Sequence, residues 1–190
     1  MKPLTADRKA KNFLTDTEIK QFILAARKGA HGARDFALAL LAYRNGFRVS
    51  ELIDIRMEEV DLQMARIHVR RLKGSLTTEH PIEGDELRAI RAWLRIREQS
   101  KFADQPFLFV GERGAFTRQA VNYLFEQIGK RAGSAFMVHP HMLCHSCGFF
   151  LANKGYDTRL IQDYLGHRNI NHTVQYIRVA ANRFEGLWRK

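Results

Sequence analysis

Residues 139–150, HPHMLCHSCGFF, place His139, His141, Cys144, His145 and Cys147 within nine positions. Cys144 and Cys147 form a C-x-x-C. Three structures compete for such a stretch: a zinc knuckle, a redox dithiol, or a helix whose cysteines are incidental. Tetrahedral zinc needs four converging ligands, and a single helix cannot present all of these side chains to one point. A redox C-x-x-C calls for a thioredoxin-like βαβ setting. Pro140 suits a first helical position and Gly155 a stop, so the spacing predicts a helix from about 140 to 154. On that reading no metal is bound.

The flanking sequence supports a helical setting. DTRLIQDYLGH is a helix capped by Asp157, and NHTVQYIRV is one more short helix. Upstream, TRQAVNYLFEQIGKRAG is a helix with Thr117 as N-cap and Gly133 past its end. PFLFV reads as a short strand or extended piece, and DELRAIRAWLRIREQ has helical spacing. ARIHVRRLKGSLTTEHPI instead alternates as two strands around Lys73-Gly74, a hairpin. RVSELIDIR is a short helix, and ARDFALALLAYRNG is an apolar-striped one closing at Asn45-Gly46. TDTEIKQFILAARKG opens on a Thr15–Glu18 capping box and closes at Gly29. The fold class is therefore mainly α with a small antiparallel β-sheet, an α+β domain.

The 190 residues suffice for one domain with a substantial core. No run approaches the roughly 20 apolar residues needed to span a bilayer, and the first residues lack the apolar region of a secretory signal. Two cysteines make no disulfide framework. A cytoplasmic protein without membrane partners is expected. Thirty-one Lys and Arg against twenty Asp and Glu give a net charge of +11. That excess favours a polyanionic partner, because phosphate contacts release counterions. A ribosome-associated or merely basic protein also fits the charge.

Polar residues at the element ends suggest a site. Arg48 and Glu51 are spaced i, i+3 at a helix start, on one face. Lys73 lies on the hairpin. His141 opens the helix that carries Cys144 one turn later. LGHRNINHTVQY sets His167 nine residues before Tyr176. Singly, each has an ordinary role: a surface ion pair, a solvated hairpin lysine, a satisfied histidine, a half-buried tyrosine.

Together, GFRVSEL, RLKG, HPHMLCHSCG and LGHRNINHTVQY resemble the tyrosine recombinases, the phage-integrase type of site-specific DNA recombinase. Order, spacing and context agree from about residue 13 to 180. The wording of the last two segments is similar to the short fimbrial phase-switch DNA invertases, which invert a promoter-bearing segment. The resemblance implies a tyrosine recombinase catalytic domain over 13–190, an N-terminal extension over 1–12, and no separate N-terminal core-binding domain. It implies double-stranded DNA with inverted-repeat sites as partner, a homo-tetramer on two sites, and no metal, ATP or other cofactor. Tyr176 would attack the scissile phosphate, leaving a 3′-phosphotyrosine and a free 5′ hydroxyl. His141 would accept or orient the phenolic proton, and Lys73 would protonate the leaving oxygen. Arg48 and His167 would hydrogen-bond the non-bridging oxygens, with Glu51 bracing Arg48. Arg70, Arg71, Lys73 and Arg168 are the expected DNA contacts.

Cys144 departs from the pattern. It stands where the family motif H-x-x-R carries its second arginine, so the resemblance implies a pocket shaped for a guanidinium facing a phosphate, with His145 and Cys147 as packing residues. A thiol offers one weak donor and no charge against five guanidinium donors. The resemblance therefore implies a recombinase with impaired chemistry, or alternatively a DNA-binding regulator that keeps the fold without strand exchange.

Overall fold

The computed structural model describes residues 11–71 and 77–179. Eight helices and two small antiparallel sheets are present among them: α1 (Asp16–Ala26), α2 (Gly32–Arg44), α3 (Val49–Ile53), β1 (Val60–Asp61), β2 (Arg66–Val69), β3 (Thr78–Pro81), α4 (Gly84–Arg97), β4 (Val110–Gly111), β5 (Gly114–Ala115), α5 (Arg118–Arg131), α6 (Pro140–Asn153), α7 (Thr158–Leu165) and α8 (Asn171–Val179). No helix among the described residues is long and apolar enough to cross a membrane.

Helix α2 is the hub, because it is apolar nearly all round. Ala37 to Ala42 are all buried, so it can be covered on every side. Helices α1, α4 and α6 pack on it. Phe22 of α1 meets Phe125 of α5 edge-on at 5.4 Å within the main core. Burying a phenylalanine of this kind stabilises the fold by about 2–3 kcal/mol. Trp93 of α4 donates its indole N–H to the Leu108 carbonyl at 2.8 Å, so the ring is buried without an orphaned donor.

Strands β1, β2 and β3 form one sheet in that order, with Ile67 opposite His80 and Val69 opposite Thr78. The expected hairpin is present, and its tip with Lys73 lies outside the described residues. The structure holds more β structure than the sequence pattern predicts. A 3-10 turn at Met57–Glu59 leads into β1, and β4–β5 form a separate hairpin around Glu112-Arg113. In PFLFV, Phe107 bridges Arg56, the Leu108 N–H donates to the Ile55 carbonyl at 2.8 Å, and Val110 opens β4. Two-residue strands are too short to show alternation, which is why the pattern misses them.

Helices α6, α7 and α8 carry a second, smaller core of Cys147, Ala152, Ile161, Leu165 and Tyr176. It is fastened to the main core at the end of α2. The Arg44 carbonyl accepts hydrogen bonds from Tyr164 Oη at 2.9 Å and Cys147 Sγ at 3.5 Å. Ser146 Oγ accepts the Leu14 N–H at 2.8 Å and donates to the Met142 carbonyl, tying α6 to the segment before α1. The opening stretch is thus a helix, with Pro140 at its start and Lys154 as C-cap. Its two cysteines are buried free thiols.

Candidate functional site

Two groups of side chains meet around Cys144. The first is cationic. Arg48 precedes α3 in extended conformation, and its backbone N–H donates to Glu51 Oε2 at 2.9 Å. The Arg48 guanidinium donates to Glu51 Oε1 at 2.8 Å. The Glu51 carboxylate also accepts Arg71 Nη1 at 2.8 Å. Two guanidinium charges on one carboxylate leave the cluster net positive. Glu51 and Arg71 side chains are 1% and 0% exposed, whereas Arg48 is 33% exposed. Arg48 is therefore the member that can reach a phosphate, and the other two set its position.

Arg71 corrects an expectation. The sequence makes it an expected DNA contact, but its side chain is buried. Nη2 donates to the Tyr164 carbonyl, and the guanidinium sits over the Phe47 ring at 5.6 Å. Gly166, the left-handed C-cap of α7 at φ +61°, admits this packing: a Cβ there would stand 2.7 Å from Arg71 Cδ. Among the described residues, Arg71 Nε has no hydrogen-bond partner. Arg70 and Arg168 are exposed. Arg70 also pairs with Glu59 and lies 3.8 Å from Glu58.

The second group is neutral. Tyr176 on α8 is 1% exposed, and its hydroxyl lies 2.8 Å from His145 Nδ1. Its ring stacks on His167 at 6.1 Å and meets Phe149 edge-on at 5.0 Å. Gly148 leaves the space for that ring, since a Cβ would stand 2.6 Å from Tyr176 Cε2. His145 in turn meets His141 edge-on at 4.3 Å. His167 is oriented by Thr173, with Nδ1 2.8 Å from Oγ1, and its carbonyl accepts Gln162 Nε2 at 2.8 Å.

Burial sets the protonation of this group. It depresses His145 to about 4, helped by His141 and His139, and His167 to about 4, helped by Arg48, His172, Arg71 and His145. His141 and His139 are lowered by the same cause. Burial also pushes the Tyr176 phenol well above its ordinary range, with Cys144 and Cys147 adding to it and Arg48 opposing. All of these groups are neutral at pH 7.

Cys144 joins the halves. It is 2% exposed, and burial raises its thiol to about 11, against the field of Arg48 and Arg71 and with that of Glu51. The position is more enclosed than the expectation of a phosphate-facing pocket required. Lys73 lies outside the described residues. His145 is not mere packing, because it touches the Tyr176 hydroxyl. Its signal in the sequence is the i, i+4 spacing from His141, which places both rings on one helix face. Thr173 and Gln162 were missed as well. Thr173 lies three residues before Tyr176 on the same helical face. No group of three or more His, Cys, Asp or Glu that could hold a metal ion forms among the described residues.

The chain is similar in sequence and fold to a known group. The phage integrase family model matches residues 12–183. The type 1 fimbriae regulatory protein FimB of Escherichia coli (strain K12) is 46% identical over 184 residues, covering 96% of this chain and 92% of the relative. The type 1 fimbriae regulatory protein FimE of the same strain is 46% identical over 182 residues, covering 95% and 92%. The crystal structure of XerA recombinase superposes with a TM-score of 0.82 at 29% identity, over 93% of this chain and 62% of that one. The chain belongs to the phage integrase family, the tyrosine recombinases.

Proposed function

We propose that this chain is a site-specific DNA recombinase that cleaves and rejoins DNA through a 3′-phosphotyrosine at Tyr176, and that it inverts a fimbrial promoter segment. One observation carries the chemistry: a buried tyrosine hydroxyl set among histidines, beside an arginine held by a buried carboxylate. The 46% identity to FimB and FimE over nearly their whole length supports the fimbrial switch. The XerH recombinase, whose fold this chain shares, is bound to its difH substrate in a pre-cleavage complex. Double-stranded DNA with inverted repeats is the proposed partner, with a homo-tetramer assembled on two sites in the cytoplasm.

In the proposed reaction the Tyr176 oxygen bonds to phosphorus, and the bond to the 5′ oxygen breaks. The phenolic proton is lost, and Lys73 supplies a proton to the leaving oxygen. Arg48 and His167 hydrogen-bond the non-bridging oxygens as charge builds there. Glu51 and Arg71 hold Arg48 in place. Exposed Arg70 and Arg168 contact the DNA backbone. Tyr176 is 1% exposed, so the site opens over its hydroxyl before attack.

Cys144 impairs this step. A buried neutral thiol contributes neither charge nor a strong donor, and losing one preorganised donor costs about 3–4 kcal/mol, or roughly 10²–10³ in rate. The same observation favours the second reading, a regulator that binds the switch without exchanging strands. A nicked suicide substrate separates the two. Covalent protein–DNA adduct that disappears in Tyr176→Phe supports the recombinase. Tight binding with no adduct, even after Cys144→Arg, supports the regulator.

A further inference from the structure

We propose that His145, rather than His141, holds the Tyr176 hydroxyl and takes its proton when Tyr176 attacks. This rests on Tyr176 being the nucleophile.

The geometry divides the two histidines. His145 Nδ1 stands 2.8 Å from Tyr176 Oη, and the two rings meet edge-on at 5.7 Å. His141 is one turn earlier and exposed, on the outer side of His145. An incoming phosphate meets His141 first, and the phenol meets His145. The Tyr176 ring cannot slide toward His141 freely. Gly148 lies beneath it, Phe149 against one edge and His167 across its face.

The proton balance is simple. The Tyr176 O–H breaks, its oxygen bonds to phosphorus, and the proton moves to the lone pair of His145 Nδ1. That lone pair is available only when the neutral ring carries its hydrogen on Nε2. The groups facing the pair explain why nothing happens before DNA arrives. From α6 come His141, Cys144 and Cys147, from the segment before it His139, from the α7–α8 connection His167, and from the start of α3 Arg48. This surrounding is buried and, among the described residues, includes the cations Arg48 and Arg71 near Cys144 and His167, so an imidazolium at 145 is disfavoured and both partners stay neutral. A phosphodiester beside His141 and Arg48 adds negative charge at the open side and makes the imidazolium acceptable.

Two measurements test this. In DNA-free protein, ¹⁵N NMR of histidine side chains reads the tautomer, and ¹³Cζ-tyrosine spectra, assigned with Tyr176→Phe, read the phenol. An acceptor-type Nδ1 at His145 is expected. The Tyr176 signal should shift in His145→Leu and stay near its place in His145→Asn, whose carboxamide can still accept the bond. A protonated Nδ1 at His145, or no Tyr176 shift in His145→Leu, overturns the proposal. The second measurement is single-turnover adduct formation on the nicked substrate in a Cys144→Arg background. His145→Asn and His145→Leu should lose at least about 10²-fold with DNA affinity unchanged, as general-base removal does. The His145→Asn rate should climb about tenfold per pH unit from 7 to 9, because solvent base must replace the imidazole. Rates within about threefold of the parent overturn it. Adduct persisting in Tyr176→Phe, or absent from the His145 parent, counts against the recombinase reading instead, and the NMR result then decides the hydrogen bond by itself.

Discussion

The two halves of the site use opposite physics. The Arg48–Glu51–Arg71 half keeps its charges by pairing them, with a buried carboxylate accepting from both arginines. Among the described residues the Tyr176–His145–His167 half has no such partner and stays neutral, because burial without an opposite charge favours the uncharged forms. One half presents positive charge that an anion can meet, and the other keeps a buried phenol protonated. Cys144 stands at the seam, where a thiol belongs physically to the neutral half. An arginine there would extend the charged half toward the tyrosine.

The strongest way to break this picture is to remove the nucleophile. Tyr176→Phe is expected to abolish adduct on a nicked suicide substrate while leaving DNA affinity within about twofold, since binding rests on phosphate contacts elsewhere. Denaturing gels and a binding titration read both. An adduct mapped to any other residue removes the neutral half from the chemistry.

Moving the seam comes next. Cys144→Arg should raise the single-turnover cleavage rate by at least about 10², while Cys144→Ser, which adds no charge, should not. The site is 2% exposed, so the new guanidinium must find the charged half to be tolerated. An unchanged rate in a folded Cys144→Arg protein would mean that the charged half already suffices.

The contrast between halves also explains what the sequence made legible. Helix existence and most boundaries followed from caps and periodicity: Thr15, Thr117 and Asp157 accept the predicted backbone bonds. Arg48, Glu51, His141, His167 and Tyr176 could be picked out because a family pattern orders them. Arg71 and His145 could not. Each was read by residue type, as a basic residue for DNA and a helical residue for packing. Their roles depend on partners far along the chain, Glu51 and Tyr164 for Arg71, Tyr176 for His145. The second sheet escaped for a different reason. Strands of two residues are held by pairing and carry no pattern of their own.

Within the charged half, Glu51 is the keystone. Glu51→Ala leaves the fully buried Arg71 guanidinium without its counter-charge, which typically costs about 3–5 kcal/mol. For a chain of this size that lowers Tm by about 6–20 °C in a thermal melt. Glu51→Gln keeps the shape and acceptor oxygen and should fall between. A Glu51→Ala protein melting within about 2 °C of the parent would show that the pair contributes no net stability.

The smallest effect sharpens the neutral half. His145 and His167 sit near 4 and His80 near 3 in the folded chain, all depressed by burial from 6.5. Between about pH 6.5 and 4 the unfolded chain takes up protons at these positions that the folded chain refuses. Stability therefore falls as pH falls through that window. Glu86 works the other way. Burial raises it from 4.5 to about 7, so the folded chain keeps a proton that the unfolded chain has lost, and stability rises as pH falls from 7 toward 4.5. These three histidines, joined by His139 and His141, which burial also lowers, outweigh Glu86, and the net expectation is a Tm that drops by several degrees between pH 7.5 and 5. His145→Asn removes one of the three and should flatten the slope without reversing it. A Tm that rises on acidification would place Glu86 in control and show that the histidines around Tyr176 accept protons readily, which is the opposite of a neutral half.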